Sequence, residues 1–508
     1  MLFGTDGIRG EVVDSPKKDR DTITRLLERR EISPRLVRLV GEALARFAGL
    51  GSKVIIGWDN RPRNYELASS LTVGLHLGGS RVIHAGICAT PGLHNSIFET
   101  NSAMGCMITA SHNPVYDSGI KIFDANGFKT GPEIEKDISE LIVQLASEER
   151  EVDSNEIAEL EKPDVTFEAD LSHQKLIKKR FDELCKVFAE PKLKRLSLDS
   201  SKGIASEWLS DFLCSQGIKC NEISLNATAL NRNCGAGELS PTDSWTWDEA
   251  AKDEHLLIRS LEKTSPGQIV AAALDGDGDR CLLIESTKHG FRVVDGDEMA
   301  DHILRSAKGN WHLAASIESD LALGSSLERL KAKVKFSQTA VGDRWLSQAL
   351  RKSGQNVLGV EDSGHLVLSA PNPNGGRCLV GDGIASMFAV LCSMGCDSRQ
   401  EKFQRGYKNR VSISPSNRNL WDGGNHLADK VESIAEKYLG EMNRSGLVGE
   451  NNLMLLENGK TSIGVRNSGT QAKTNISLRV APGVENSLAI KALEDIRDYL
   501  KRELQANF

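Results

Sequence analysis

Nowhere does this 508-residue chain reach the roughly 18 consecutive apolar residues that a membrane-spanning helix needs. Residues 1–10 carry no apolar h-region, so a secretory leader is not expected. Cysteine is thinly spread, ten in all with no CxxC pair, which points to a reducing, cytoplasmic chain with buried thiols. Excess positive charge is missing as well. Lys and Arg number 63 against 70 Asp and Glu, a formal net charge of −7, so neither nucleic acid nor a membrane surface is an expected partner. There is no GxxxxGK[ST] loop, no HExxH and no GxSxG, which removes the common nucleotide, zinc-protease and hydrolase readings. No fixed-period repeat is present. What remains is 39% hydrophobic and 26% charged, the balance of a soluble protein with a real core. At about 100–200 residues per domain, this length predicts several domains.

The chain alternates short apolar runs with stretches of helical spacing. Residues 53–57, 80–87 and 103–108 read as strands, and 66–77 and 92–100 as helices, an order that predicts a mostly parallel sheet covered by helices. The pattern restarts with a helix over 174–189 and strands at 196–199 and Ile269–Leu274. A third block carries strands near 313–317, 334–338 and 356–360. The last hundred residues end in strands at 462–465 and 476–480 and a helix from Glu485 towards Leu504. Two charged segments interrupt this order. Residues 14–30 read as a solvated surface excursion, and the acidic residues 147–170 as a domain boundary.

Each block places an unusual polar cluster directly after an apolar strand, where open α/β sheets bind ligands. Asp275-Gly276-Asp277-Gly278-Asp279-Arg280 sets three carboxylates on alternate residues. Like charges about 4 Å apart cost about 4 kcal/mol at an effective dielectric of about 20, so converging carboxylates call for a cation, and hard oxygen ligands favour Mg²⁺ or Ca²⁺. An EF-hand is excluded because Arg280 stands where that loop needs glycine and Ser286 where it needs glutamate. A merely acidic turn is the competing interpretation.

Thr109-Ala110-Ser111-His112-Asn113-Pro114 offers a hydroxyl able to act as a nucleophile or carry phosphate, and also fits a plain Asn-Pro turn. Lys121 follows ten residues later, ahead of an Asp124-Ala125-Asn126-Gly127 hairpin turn. Glu361-Asp362-Ser363-Gly364-His365 supplies groups that suit sugar hydroxyls, or forms a polar turn. Arg466-Asn467-Ser468-Gly469-Thr470 has the makings of a phosphate cradle, or of an ordinary glycine turn. At the start, Phe3-Gly4-Thr5-Asp6-Gly7-Ile8-Arg9-Gly10 combines tight backbone geometry with an arginine able to reach a phosphate.

Together and in this order, the five clusters resemble the α-D-phosphohexomutase superfamily. The likeness extends to Gly57-Trp58-Asp59-Asn60-Arg61, Asn233-Cys234-Gly235, Val294-Asp295-Gly296-Asp297-Glu298, Val341-Gly342-Asp343-Arg344 and Gly381-Asp382-Gly383-Ile384. Within the family, the opening FGTDGIRG and the NCG and VGDR segments are most like the bacterial members that act on glucosamine phosphates. The resemblance implies three related α/β domains with mixed, mostly parallel sheets and a smaller C-terminal α+β domain around a central cleft. Its divisions would be 1–165, 166–297, 298–403 and 404–508. Ser111 would be the phosphoserine, holding Mg²⁺ together with Asp275, Asp277 and Asp279. His112 and Lys121 would move protons, and Arg9 and Arg280 would support the transferring phosphate. Glu361, Ser363 and His365 would read the sugar, while Arg466, Ser468, Gly469 and Thr470 would grip the distal phosphate.

The implied reaction interconverts glucosamine 6-phosphate and glucosamine 1-phosphate through a sugar 1,6-bisphosphate, which also serves as activator. The alternatives are a phosphoglucomutase/phosphomannomutase and a non-catalytic phosphosugar-binding protein. The partner is a small phosphosugar, and the protein a monomer or homodimer. Two positions depart from the family pattern. Asn475 stands where an arginine is usual, with Lys473 and Arg479 as nearby cations, and Asp362 stands where members acting on glucosamine phosphates commonly carry glutamine.

Overall fold

Lys53–Trp58 and Met104–Ile108 are almost wholly buried runs, as strands covered on both faces must be, and they lie side by side in parallel. A computed structural model describes residues 2–4, 6–152, 154–354, 356–397, 399–468 and 472–505. Among these residues the strands form four sheets, of seven, six, five and five strands. The first runs in the order Glu31–Ile32, Ile8–Val12, Asp117–Asp124, Met104–Ile108, Lys53–Trp58, Arg81–Ile87, Val165–Thr166. Ile8–Val12 therefore sits inside the sheet, antiparallel to Asp117–Asp124. The glycine just before it is required there: a Cβ on Gly7, at φ +83°, would lie 2.1 Å from the carbonyl oxygen of Ile120.

The second and third sheets are also mixed. Parallel strands (Arg195–Asp199 beside Ile269–Leu274, and Asn310–Ser316 beside Val357–Val360) are extended by antiparallel hairpins. The fourth sheet is wholly antiparallel and is covered by the helices His426–Leu439 and Ser487–Gln505. The second and third sheets share one apolar core. Phe181 of helix Ala169–Val187 meets Phe388 of helix Gly383–Gly395 with ring centroids 4.9 Å apart, and Phe212 at 5.7 Å. No helix among the described residues is long and apolar enough to cross a membrane.

The first charged segment departs from expectation. Residues 14–30 are not a solvated excursion, because Asp19–Arg29 forms a helix that buries Leu26 and Thr22. Asp19 itself is 1% exposed and is held by Arg35 at 2.9 Å and Arg38 at 2.8 Å, both from the next helix, Pro34–Ala48. Residues 147–170 are tied to the first sheet and its helices. The Glu149 carboxylate accepts from the first backbone N–H groups of that same helix, Asp19 at 2.9 Å and Arg20 at 3.2 Å, and Val165–Thr166 adds a parallel strand beside Arg81–Ile87. Charge that looks exposed in sequence is paired across long separations. Asp19→Ala would strand two arginines at a buried position and is expected to cost about 3–5 kcal/mol of stability. Urea unfolding measures it, and a loss below about 1 kcal/mol would show that the arginines relax into solvent.

Candidate functional site

Four of the polar clusters turn out to be hairpin connections at strand ends. Ile108 pairs with Ile120 around the Ser111 loop, Leu274 with Cys281 around the aspartates, Val360 with Leu366 around Glu361-His365, and Asn467 with Thr474 around Ser468. They border one cleft of about 910 Å³. Arg9, His112, Asp279, Arg280, Glu361, Ser363, His365, Arg466 and Ser468 all lie on its wall. Gly469 and Thr470 fall outside the described residues.

The aspartate turn is tight. Gly278 takes φ +74°, a conformation that glycine adopts without strain. One carboxylate oxygen from each of Asp275, Asp277 and Asp279 lies within 4.8 Å of the others, and all three residues are at most 3% exposed. Burial, with Asp279 and Asp277 alongside, pushes the Asp275 carboxyl up. Lys121, itself buried, donates to Asp277 Oδ2 at 2.6 Å and to Asp279 Oδ2 at 2.7 Å. Burial disfavours its charge, but those two carboxylates outweigh burial and raise its pKa. Asp277 Oδ1 and Asp279 Oδ1 remain buried without a hydrogen-bond partner. Orphaned carboxylate oxygens converging in this way fit a hard divalent cation.

Ser111 faces this triad. Its hydroxyl donates to Asp275 Oδ2 at 2.6 Å, and the residue sits at φ +55°, a left-handed conformation unusual for serine. The loop is clamped from two directions. Arg61 Nη2 donates to the carbonyls of Ser111 (2.7 Å) and Asn113 (3.0 Å), and Asn231 Nδ2 donates to the same two at 2.7 and 3.0 Å. Asp59 anchors Arg61 at 3.1 Å and accepts from Thr109 Oγ1 at 2.6 Å, while Thr109 Oγ1 accepts from Ser111 N–H at 2.8 Å. Such over-determination is what holds a strained residue in place.

His112 accepts at Nδ1 from Arg280, and that guanidinium, followed by burial, drives its pKa well below the usual imidazole range. The backbone N–H of Arg280 meets Asp275 Oδ1 at 3.1 Å, and Arg9 pairs with Asp6 at 2.6 Å. On the loop from Glu361 to His365, His365 lies 2.8 Å from Asp343 and 3.6 Å from Asp279. Burial opposes its charge, yet the two carboxylates push its pKa up to about 10. Glu361 Oε1 accepts from Gly342 N–H at 2.6 Å, and burial raises that carboxyl. Asp362 turns the other way, to Lys408 at 3.1 Å and Arg410 at 3.3 Å.

Residues 1–149 and 295–409 match the family models described as phosphoglucomutase/phosphomannomutase, alpha/beta/alpha domains I and III. A phosphoglucosamine mutase of Bacillus pumilus is 31% identical over 386 residues, covering 73% of this chain and 75% of that protein. The chain is an α-D-phosphohexomutase family member. A phosphoglucosamine mutase of Actinobacillus succinogenes extends the likeness to 98% of both chains at 29% identity. Solved phosphohexomutase structures share the fold. A Burkholderia thailandensis phosphoglucomutase/phosphomannomutase family protein aligns at TM-score 0.65 and 17% identity over 98% of this chain and 97% of its own. The Aspergillus fumigatus N-acetylphosphoglucosamine mutase, solved with GlcNAc-6P and magnesium, aligns at 0.57 and 14% over 92% and 98%.

Sequence reasoning assigned no role to several groups of this phosphohexomutase. Arg61 was visible only as part of a family-like segment, and Asn231 lies just before another. Lys129 lines the cleft between Asp6 (2.9 Å) and Asp343 (3.6 Å), with nothing local to mark it. Of the two cations near Asn475, Lys473 lies on the cleft wall. Arg479 does not substitute: it is buried and bound to Ser462 Oγ (2.7 Å), the Ser319 carbonyl (3.2 Å) and Glu457 (3.2 Å). Four residues along a strand, at about 3.3 Å each, put it beyond the cleft.

Proposed function

We propose that this phosphohexomutase interconverts glucosamine 6-phosphate and glucosamine 1-phosphate through phosphoserine at Ser111 and a sugar 1,6-bisphosphate. The observation that carries the reading is the 2.6 Å contact between the Ser111 hydroxyl and a buried aspartate triad at a cleft lined by arginines. A phosphoserine brings about −1.5 to −2 charges, so a cation and fixed donors must stand around it. Asp275, Asp277 and Asp279 would hold Mg²⁺, which when bound offsets the charge of the phosphorylated serine.

The remaining work falls to side chains. Phosphoryl transfer depends mainly on alignment and on donors aimed at the transferring oxygens. Arg61 and Asn231 fix the loop, and Arg9 and Arg280 supply guanidinium N–H groups. In the first half-reaction the Oγ–P bond breaks, a bond forms from phosphorus to the sugar hydroxyl oxygen, and the proton of that hydroxyl is relayed to the departing Ser111 oxygen. In the second, the other phosphate returns to Ser111. His112 and Lys121 are the proposed proton carriers. His112 is neutral and accepts at Nδ1, which places its proton on Nε2, whereas Lys121 begins protonated. Glu361, Ser363 and His365 would contact sugar hydroxyls, and Arg466 and Ser468, with Gly469 and Thr470, the distal phosphate.

The alternative of glucose or mannose phosphates rested on Asp362. That side chain is bound to Lys408 and Arg410 while its neighbours Glu361 and Ser363 form the wall, which supports giving it no part in reading the sugar. The four sheets support domain divisions close to residues 165, 297 and 403, the first sheet reaching Thr166, and ten free thiols suit a cytoplasmic setting. Turnover of the 6-phosphates of glucosamine, glucose and mannose, each with its bisphosphate, tests the assignment. The largest kcat/KM is expected for glucosamine 6-phosphate, and a clear advantage for either plain hexose would reassign the substrate. Mass spectrometry after incubation with bisphosphate and Mg²⁺ should find phosphate on Ser111. Its absence there would also remove the non-catalytic alternative's main rival.

A further inference from the structure

The distal phosphate grip lacks its usual second arginine at Asn475, and the fourth sheet shows what faces the gap. Asn475 lies on a middle strand, paired with Ser412 on one side and Arg466 on the other. Ser412 Oγ donates to Asn475 Oδ1 at 2.7 Å. Two residues before Ser412, on the same face of its strand, stands Arg410, whose side chain is 40% exposed and lies on the cleft wall. Arg410 Nη2 is 2.9 Å from Glu318 Oε2, and Arg466 Nη2 is 3.2 Å from Glu318 Oε1. One carboxylate thus bridges two guanidinium groups at the cleft, with Lys473 on the same wall. An anionic ligand oxygen would be held in the same way.

We infer that Arg410 is the second guanidinium of the distal phosphate site, doing from the neighbouring strand what an arginine at position 475 does elsewhere in the family, and that Glu318 occupies the phosphate's place in the free protein. The inference rests on the phosphohexomutase reading and names the chain's own route to it. Glu318 holds one arginine on each of its carboxylate oxygens, and a phosphate, with more charge and more acceptor oxygens, displaces it. Asp362, 3.3 Å from Arg410, joins the sugar loop to the same cation.

The test is steady-state kinetics of the full-length protein with glucosamine 6-phosphate. Arg410→Ala is expected to raise KM roughly tenfold to a hundredfold, the loss of one charge-assisted hydrogen-bonded contact. The midpoint of a Mg²⁺ titration should not move. Adding Asn475→Arg to Arg410→Ala should recover most of the lost KM, which a merely structural arginine would not permit. Glu318→Gln, which removes the competing carboxylate, should tighten binding of inorganic phosphate several-fold. Wild-type turnover with KM unchanged in Arg410→Ala, or a rise in KM that Asn475→Arg does not reverse, would overturn the role of Arg410 and leave the mutase reading intact. Weaker phosphate binding by Glu318→Gln would overturn the placeholder. A wild-type protein that turns over none of the hexose 6-phosphates would remove the mutase reading and this inference with it.

Discussion

Ser111→Ala protein is expected to bind glucosamine 6-phosphate with near-wild-type affinity and to turn over none of it. The serine oxygen is the atom that would accept and return the phosphoryl group, and it is this hydroxyl that meets Asp275. Removing a covalent nucleophile has cost about 10⁶-fold in kcat in a well-studied hydrolase, so activity should fall below detection. Binding should survive because the proposed sugar and distal-phosphate contacts come from other loops. The position itself needs care. Ser111 holds φ +55°, a conformation no easier for alanine, so the variant keeps the strain. Ser111→Gly is the control, since glycine relaxes there and still lacks the hydroxyl. Calorimetry of sugar-phosphate binding and kcat for both variants decide the matter. Either one retaining near-normal kcat would show that the phosphoryl group rests elsewhere.

Asp277→Asn should raise the Mg²⁺ requirement steeply. Asp277 contributes a buried oxygen with no partner and another shared by Lys121 and Thr90. Losing that charge removes one of three carboxylates that converge within 4.8 Å. A tenfold weaker Mg²⁺ affinity, about 1.4 kcal/mol, is the smallest change expected. Stability gives an independent reading. A ligand that binds only the folded state stabilises it by RT ln(1 + [L]/Kd), so wild-type Tm should climb with Mg²⁺ while that of Asp277→Asn should barely move. Mutual repulsion among the carboxylates is also relieved in the variant, so its metal-free Tm should not fall far. Superimposable metal titrations of wild type and variant would remove Asp277 from the cation site.

How far the site was legible depended on how local its chemistry is. DGDGDR announces itself because three carboxylates and two glycines sit in a single turn. TASHNP, EDSGH and RNSGT each follow an apolar strand, and the structure seats the first two, with Arg466 and Ser468 of the third, around one cleft. Arg61 and Asn231 were not readable in that way. Arg61 reaches carbonyls 50 and 52 residues from its own position, and Asn231 carbonyls 120 and 118 residues away. Asp19 misled for the same reason, since its partners Arg35 and Arg38 belong to another helix.

Residue types and their spacing within a few positions determined the proposed catalytic chemistry, the candidate cation ligands and the family, because hydroxyls, carboxylates and glycine turns act through neighbours on the same loop. Which side chains stand behind those loops was decided by packing alone. Arg410 and Asn475 lie on different strands, and Glu318 meets two arginines from another sheet. Such pairings exist only once strand register and the docking of one sheet against another bring distant charges within a few ångströms, where desolvation makes each of them count.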